Sequence, residues 1–352
     1  MTAKTSPETV EDVLLLKRAH PEWSGAAIAD ALNQAGTPIH KATVCKIVSS
    51  ANREEYQEYS TTPEPIEPIP SDDHLFTAEE LLDQKAERFS RIANLKTAEK
   101  VRTIIIRDPK PIAVCHLGDP HIDDDGCNVG ELRRTIETIK RTPGMMAGNV
   151  GDTHNNWVGR LQGLYQEQST TFDEALQLSK WLANSVKWLY WVEGNHDKWR
   201  DGSQITKLLL QGSDVLAHAK HEARLELQFP VGDPIRIVAR HDFKGHSMWN
   251  PTHGSMKESK FDPWGDLFVS GHRHIWAIHR EEGRDSKPRT SILVRGYKYF
   301  DDFAEAKQFH QHEHGESLTT ILQPAHEHPC ERVRVYHDVD EAADVLTWLR
   351  SK

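Results

Sequence analysis

The segment IAVCHLGDPH, residues 112–121, decides the fold, because an apolar run ends there in Asp119 and His121. Four other segments repeat this arrangement of an apolar run followed by polar side chains. They are MMAGNVGD (145–152), LYWVEGNHD (189–197), IRIVARHD (235–242) and LFVSGHRH (267–274). Short apolar runs bounded by polar loops predict buried strands, and open α/β sheets build their sites at the carboxyl ends of strands. The segments therefore predict one site at the end of a sheet.

The polar ends of these segments carry side chains that bind divalent cations. Asp119 and His121 stand two positions apart, so on an extended segment both project from one side and can hold one cation. Asp152, in a turn led by Gly151, can place its two oxygens on different cations. The remaining candidates are an amide and three imidazoles, Asn195, His241, His272 and His274. This donor set predicts two adjacent divalent metal ions, with Mn²⁺ favoured and iron or zinc as alternatives.

One ligand position has two candidates. His241 directly follows the predicted strand over residues 235–239, whereas His246 lies further along the same loop. Side chains at the carboxyl end of a strand are the ones that such sites use. We therefore favour His241.

Strand-like and helical segments alternate in the first half of this region. Helical spacing covers residues 129–140 and 172–186, between apolar runs, and the second half, up to residue 294, is rich in strand-like runs. A further strand and a closing helix are predicted between residues 333 and 348. This order predicts an α/β fold in which two sheets form a sandwich flanked by helices.

The ordered motifs DxH, GD with a following Asn, GNHD, a lone His and GHxH resemble those of the calcineurin-like metallophosphoesterase superfamily. The resemblance covers residues 110 to 294. It implies the two-sheet metallophosphoesterase sandwich and a metal-dependent hydrolase. For the first metal it implies Asp119, His121, Asp152 and His274 as ligands. For the second it implies Asp152, Asn195, His241 and His272.

The resemblance also implies catalytic roles. Two cations about 3.5–4 Å apart bind a phosphate oxygen and make hydroxide available for in-line attack on phosphorus. His196 would neutralise the leaving oxygen, held in place by a carboxylate for which Asp119 and Asp197 are the candidates. Asn155 occupies a position of the second motif where the family often has Asp or Asn, and we expect it to bind substrate. Arg200, among neighbouring tryptophans and Lys198, is a candidate for holding a base or a second phosphate, unless those tryptophans cap the core.

Composition sets further bounds. The chain has 352 residues, enough for one large and one small domain, and its four cysteines show no paired spacing, which favours a reducing cytoplasm. We expect no membrane insertion, because the chain lacks a signal sequence and any apolar stretch of roughly 20 residues. A formal net charge of -10 argues against general attraction to nucleic acid, so any polyanion would bind locally.

The domain organisation follows from patterning. Residues 1–58 predict a small all-α, helix-turn-helix-like domain, residues 59–76 a linker rich in proline and acidic residues, and residues 77–352 the phosphoesterase domain. The predicted third helix has no acidic residue before Glu54, and its candidate DNA-binding residues are Lys41, Thr43 and Lys46. The alternative is a generic interaction or dimerisation module.

These features together predict a phosphodiesterase or nuclease that acts on DNA or nucleotides. The second motif continues as Asn155-Asn156-Trp157, not as the Arg and Gly that mark phosphoprotein phosphatases. A DNA-binding module fused to such a domain resembles proteins of bacteria and their phages. Two alternatives stay open: a small-molecule or nucleotide phosphomonoesterase with a dimerisation domain, and a non-catalytic DNA-binding regulator or adaptor. The sequence gives no indication of the oligomeric state.

Overall fold

The computed structural model describes residues 5–59, 76–98, 101–166, 168–299 and 316–352. The chain divides into two compact units, Met1–Lys85 and Ala86–Lys352. Most of the predicted linker, residues 60–75, lies outside the described residues. Within the described ranges, none of the helices combines the length and apolar character that crossing a membrane requires.

The first unit contains three helices, α1 (Pro7–Ala19), α2 (Gly25–Gln34) and α3 (Lys41–Tyr59). Ser24 caps α2 by accepting a hydrogen bond from the Ala27 N–H at 3.3 Å. The small core has one side chain from α1, three from α2 and one from α3, namely Val13, Ile28, Ala29, Leu32 and Val44. Each helix thus buries one apolar face, as its spacing predicts. After the linker, α4 (Ala78–Ala98) begins with a reciprocal cap between Thr77 and Glu80.

The second unit is built on two six-stranded sheets. Its strands are β1 (Arg102–Ile105), β2 (Ile112–Leu117), β3 (Met145–Asn149), β4 (Trp188–Val192), β5 (His218–Ala219), β6 (Glu222–Gln228), β7 (Ile235–Arg240), β8 (Leu267–Ser270), β9 (Ala277–Glu282), β10 (Pro288–Leu293), β11 (Leu318–Leu322) and β12 (Val333–Tyr336). Its other helices are α5 (Val129–Arg141), α6 (Phe172–Ser185), α7 (Asn195–Lys198), α8 (Gly202–Leu209), α9 (His253–Phe261) and α10 (Val339–Ser351). The described residues also include two 3₁₀ segments, Gly159–Gln166 and Pro329–Glu331.

The two sheets pack face to face through side chains that alternate along each strand. The strand orders are β1-β6-β7-β8-β10-β9 and β12-β11-β2-β3-β4-β5. Along β2, Ile112 and Val114 face the apolar layer between the sheets, whereas Ala113, Cys115 and Leu117 face a second layer under α5, α6 and α10. This confirms the predicted α/β sandwich of two sheets flanked by helices.

The sequence prediction missed the start of one strand and the whole of another. β10 begins at Pro288, so it includes Arg289, Thr290 and Ser291, which are polar and nevertheless buried. Nη2 of the buried Arg289 guanidinium donates to the Pro263 carbonyl and to the Asp285 carboxylate, both at 2.7 Å. β11 pairs antiparallel with β2 and has two central threonines. Such polar strands give no apolar run to recognise.

A histidine in the layer between the sheets is held neutral. His116 Nδ1 lies 2.6 Å from the Tyr190 hydroxyl and Nε2 lies 2.8 Å from the Thr320 hydroxyl. Burial lowers the pKa of His116 to about 3. This histidine is a structural residue of the core and has no part in the predicted ligand set.

We expect His116 to make the protein sensitive to acid. The pKa of His116 is lower in the folded state than in the unfolded state. The free energy of unfolding is therefore highest above the unfolded-state pKa, and it falls as the pH drops toward the folded-state pKa. Between pH 6.5 and pH 5 the loss should be about 2 kcal/mol. Urea unfolding of wild type and His116→Gln at pH 7 and pH 5 measures it. The pH-dependent loss should shrink by that amount in the variant, and equal losses in both proteins would refute the assignment.

Candidate metal centre

All five predicted segments end at one edge of the sandwich. Asp119, Asp152 and Asn195 follow the neighbouring parallel strands β2, β3 and β4, while His241 and His272 follow β7 and β8 of the other sheet. Hydrogen bonds tie the loops together: the Asp119 N–H donates to the Gly151 carbonyl at 2.8 Å, and the His272 N–H donates to Asp119 Oδ2 at 2.8 Å. The carboxyl ends of strands from both sheets thus form one site.

The ligand loops adopt a backbone conformation that most residues avoid. Eight non-glycine residues in the described part of the chain have positive φ, and five of them are predicted ligands: Asp119 (46°), His121 (40°), Asp152 (52°), His272 (76°) and His274 (50°). Such conformations are uncommon outside glycine and cluster at functional sites. They turn the five side chains toward a common point.

Motif glycines allow the loops to approach closely. A Cβ atom on Gly151, whose φ is +106°, would lie 2.2 Å from the Gly194 nitrogen. A Cβ atom on Gly271 would lie 2.2 Å from Asp119 Oδ2. Both distances are far below van der Waals contact, so the two positions require glycine for the ligands to meet.

The predicted ligands form overlapping groups whose donor atoms lie within 4.8 Å of one another. The Asp119 group consists of Asp119, His121 and His274. The Asp152 group consists of Asp152, His241 and His272. A third set joins His121, Asp152 and His196. Asn195 completes the arrangement, since its Oδ1 lies 2.9 Å from His241 Nε2.

Asp152 stands between the two groups. Its Oδ2 lies 3.2 Å from His241 Nε2 and 4.0 Å from His121 Nε2. The structure places His241, and not His246, in the Asp152 group: His241 is buried, whereas the His246 side chain is 71% exposed beside Asp242. The placement of Asp152 suits a carboxylate that serves both groups.

The donor set fits divalent cations. Asp119 Oδ1 is buried and, among the described residues, has no hydrogen-bond partner. The nearest imidazole nitrogens, of His274 and His241, lie 3.9 and 4.0 Å away. A buried carboxylate oxygen without a partner is costly, and a cation bound between it and the imidazoles would satisfy it.

Contacts at Nδ1 orient the rings of two histidines, His121 and His241. His121 Nδ1 lies 2.8 Å from Asn155 Oδ1, and His241 Nδ1 lies 2.8 Å from the Val150 carbonyl. Each contact occupies one ring nitrogen as a donor and leaves Nε2 to face the centre. The Asn155 amide nitrogen donates to Asp124 Oδ2 and to Gln168 Oε1, which directs the amide oxygen toward His121. The structure therefore places Asn155, our candidate for binding substrate, against the predicted ligand His121.

We expect Asn155→Ala to weaken metal binding about 10- to 100-fold, because the His121 ring loses the acceptor that fixes its orientation. Titration calorimetry with Mn²⁺ measures this affinity. Asn184→Ala, which removes an exposed amide on α6 that accepts from Ser213, serves as the control. If instead the KM for substrate rises while the metal affinity is unchanged, the side chain contacts substrate as the sequence predicts.

His196 is oriented by a carbonyl. Its Nδ1 contacts the Asn155 carbonyl oxygen, so the expectation that Asp119 or Asp197 orients the ring is wrong. The Asp197 carboxylate is occupied elsewhere, because it accepts the N–H groups of Asp152, Thr153 and Gly194 at 2.8, 3.1 and 2.8 Å. Asp197 thus joins the second and third ligand loops.

Two tryptophans flank His196. The ring of Trp157 lies 5.0 Å from the imidazole, edge-on, and the ring of Trp199 lies 4.0 Å from it. These contacts leave His196 Nε2 facing Asp152 Oδ2 at 3.9 Å. Arg200, which follows Trp199, is exposed and stands outside the three ligand sets.

Charge in the centre is unevenly distributed. Burial raises the pKa of Asp119 to about 8. Burial also opposes ionisation of Asp152, but His241 and His196 outweigh it and hold the pKa of Asp152 well below its usual range. Burial and the neighbouring His196 keep the pKa of His121 well below 6.5, so this imidazole is neutral and available as a ligand.

A cavity of about 300 Å³ opens beside the Asp152 group. Its walls include three predicted ligands, Asn195, His241 and His272. The other lining residues are charged or titratable, namely Lys198, His221, Arg240 and Asp242. Sequence reasoning missed Arg240 and His221, although Arg240 directly precedes a ligand. Gln168 and Asp124, which hold Asn155, were also missed, because their role arises from loop packing.

Comparison with known proteins gives distant structural likenesses. No protein-family model matches the sequence, and no curated protein matches it. Among solved structures, the chain is similar to vacuolar protein sorting 29 from Cryptosporidium parvum (13% identity, TM-score 0.35, covering 64% of this chain and 96% of that one). It is also similar to a 5'-nucleotidase precursor from Thermus thermophilus (8% identity, TM-score 0.37, covering 68% of this chain and 58% of that one). A third similar structure is a calcineurin-like phosphoesterase from Bacillus subtilis (10% identity, TM-score 0.35, covering 68% of this chain and 99% of that one).

Proposed function

We propose that the chain is a metal-dependent phosphoester hydrolase that cleaves phosphodiesters in DNA or nucleotides. The observation that carries the proposal is the meeting of the Asp119 group and the Asp152 group, with Asp152 Oδ2 4.0 Å from His121 Nε2 and an unpartnered oxygen on Asp119. Carboxylate, amide and imidazole donors suit Mn²⁺, with iron or zinc as alternatives. The Asp119 group would hold one cation and the Asp152 group, with Asn195, a second.

The residues around the groups have separate roles in the proposed reaction. When bound, two such cations neutralise phosphate charge and make hydroxide available near neutral pH. His196, between Trp157 and Trp199, donates a proton from Nε2 to the leaving oxygen, while its Nδ1 is held by the Asn155 carbonyl. The open cavity beside the Asp152 group admits the substrate.

A substrate panel tests the activity. Purified protein with Mn²⁺ is offered bis-p-nitrophenyl phosphate, p-nitrophenyl phosphate, and single- and double-stranded DNA. We expect hydrolysis of the diester and of DNA, abolished by EDTA. Turnover of the monoester alone would favour the phosphomonoesterase. If no substrate is turned over with any of the metals, the chain is a binding protein rather than an enzyme.

The first unit, in our proposal, binds DNA through α3. Lys41 and Lys46 are exposed near its start and Thr43 is partly exposed, while Val44 is buried against α1 and α2. The chain between α2 and α3 turns at Gly36, whose φ is +89°. A helix held by its apolar face with basic side chains outward can contact phosphates in a groove.

Removing either lysine of α3 should weaken binding to DNA of any sequence. We expect Lys41→Ala and Lys46→Ala each to lower the slope of log K against log salt concentration by about 1. Fluorescence anisotropy of a labelled duplex at several salt concentrations measures this slope. Lys85→Ala, on α4, is the control. An unchanged slope in both variants contradicts the recognition role of α3.

A further inference from the structure

We infer that the cavity beside the Asp152 group is a subsite for a second phosphate, one that neighbours the scissile phosphate in the substrate. This inference rests on the proposed function and narrows it. The substrate class becomes a phosphodiester with an additional phosphate close by, as in a polynucleotide strand or a nucleoside polyphosphate.

Two cationic side chains reach this cavity from different ligand loops. Lys198 ends α7, which begins at the ligand Asn195, and Arg240 ends β7 directly before the ligand His241. Both line the cavity together with the ligands His241 and His272. A phosphate held at the Asp152 group therefore has Lys198 and Arg240 as its neighbours.

The charge of Lys198 is not used by an ion pair. Lys198 Nζ donates to the Glu193 main-chain carbonyl at 3.1 Å, and within the described ranges no carboxylate lies within 4.0 Å of it. The Glu193 carboxylate itself accepts from His218 Nε2 at 2.9 Å and from the Ser203 hydroxyl. Since an ammonium has three donors, Lys198 keeps donors for an anion.

Arg240 is held by one carboxylate, that of Glu222, and its guanidinium carbon lies 5.8 Å from the centre of the Phe243 ring. Its Nη1 donates to Glu222 Oε2 at 2.7 Å, across the β6–β7 pair, whereas its Nε is buried and lacks a hydrogen-bond partner among the described residues. A buried guanidinium donor that lacks an acceptor is unfavourable, and a phosphate oxygen would supply that acceptor. Arg240 and Lys198 line the same cavity.

Among the residues that line the cavity, the cations Lys198 and Arg240 outnumber the single carboxylate, and Glu222, outside the lining, pairs with Arg240. Burial, with the nearby Lys198 and Lys220, lowers the pKa of His221, so that imidazole is neutral near pH 7. Asp242 is the one carboxylate among the lining residues, and His246 lies 3.9 Å from it. A simple monoester would be bound by the ligand groups alone. The two further cations fit an additional anionic group.

Two chromogenic substrates that differ by one phosphate test the subsite. They are the p-nitrophenyl ester of thymidine 5′-phosphate and the same ester with a 3′-phosphate, which lose the same leaving group. With Mn²⁺ and wild-type protein, the 3′-phosphate should raise kcat/KM about 10-fold or more, through a lower KM. Diadenosine tetraphosphate, assayed in parallel, shows whether a directly linked phosphate is accepted as well.

The variants identify the residues responsible. Lys198→Met and Arg240→Met should each remove most of the gain that the 3′-phosphate gives. Arg236→Met is a matched control, because Arg236 forms an equivalent cross-strand pair with Glu226 at the other end of β7, and its side chain is 36% exposed against 35% for Arg240. The inference is wrong if the 3′-phosphate brings no gain in wild type, or if the gain survives both substitutions.

Failure of the proposed function would look different. In that case neither ester would be hydrolysed with any metal. The subsite is then tested by measuring ligand binding instead of hydrolysis. Calorimetric titration with thymidine 3′,5′-bisphosphate should show affinity for wild type and Arg236→Met that falls about 10-fold or more in Lys198→Met and Arg240→Met. Equal affinity in all four proteins would rule out the subsite even for an inactive chain.

Discussion

Asp152→Asn should lower metal-dependent hydrolysis of bis-p-nitrophenyl phosphate about 1,000-fold or more, a barrier increase of about 4 kcal/mol. Asp152 is shared by the Asp152 group and by the set with His121 and His196, so its loss affects both proposed cations. Asparagine keeps one oxygen to accept the His196 N–H, which Asp152 Oδ1 does at 2.9 Å, but brings an amide group to face His241. The variant should therefore fold while binding metal poorly.

Three measurements separate these effects. Steady-state kinetics with Mn²⁺ give the loss of activity, calorimetry gives the metal affinity, and thermal unfolding in EDTA reports on the fold. Asp173→Asn, an exposed residue in the first turn of α6, is the control and should match wild type in all three. Retention of wild-type activity by Asp152→Asn would overturn the assignment of the centre.

His196→Gln should show a strong dependence on the leaving group. The proposed proton donor matters when the leaving oxygen is a sugar hydroxyl, and it matters little for nitrophenolate, which departs without a proton. We expect kcat on a DNA oligonucleotide to fall about 100- to 10,000-fold, and hydrolysis of bis-p-nitrophenyl phosphate to fall far less. Gel-based cleavage of the oligonucleotide and absorbance assays of the diester provide the comparison.

Two results would contradict this role of His196. An equal fall on both substrates would indicate that His196 acts as a metal ligand, as its place with His121 and Asp152 permits. No fall on either would remove it from catalysis. His253→Gln, at the exposed start of α9, controls for the general effect of losing an imidazole.

The ligands and the strands that position them were largely predictable from the sequence. β2, β3, β4, β7 and β8 are short apolar runs, and each ends where polar residues begin, so strand and site are indicated by the same boundary. Ser24 and Thr77 cap helices by contacts with residues three positions further on, so a helix start of this kind is encoded in the local sequence.

The residues that support the ligands were not predictable in this way. Asn155 orients His121 through a contact between loops 34 positions apart, and Arg240 reaches the cavity because β7 of one sheet ends beside loops of the other. Neither fact follows from local pattern. β11 likewise contains central threonines and becomes a strand through its pairing with β2. Tertiary packing decides all three.

The positive φ angles at the ligands determine which substitutions are informative. At Asp119, His121, Asp152, His272 and His274 the backbone is left-handed, a conformation that asparagine adopts readily and alanine or valine does not. A β-branched residue at these positions would add about 1–2 kcal/mol of backbone strain to the loss of a donor. Asparagine scanning of the centre therefore reports on coordination, whereas alanine scanning would mix coordination with folding.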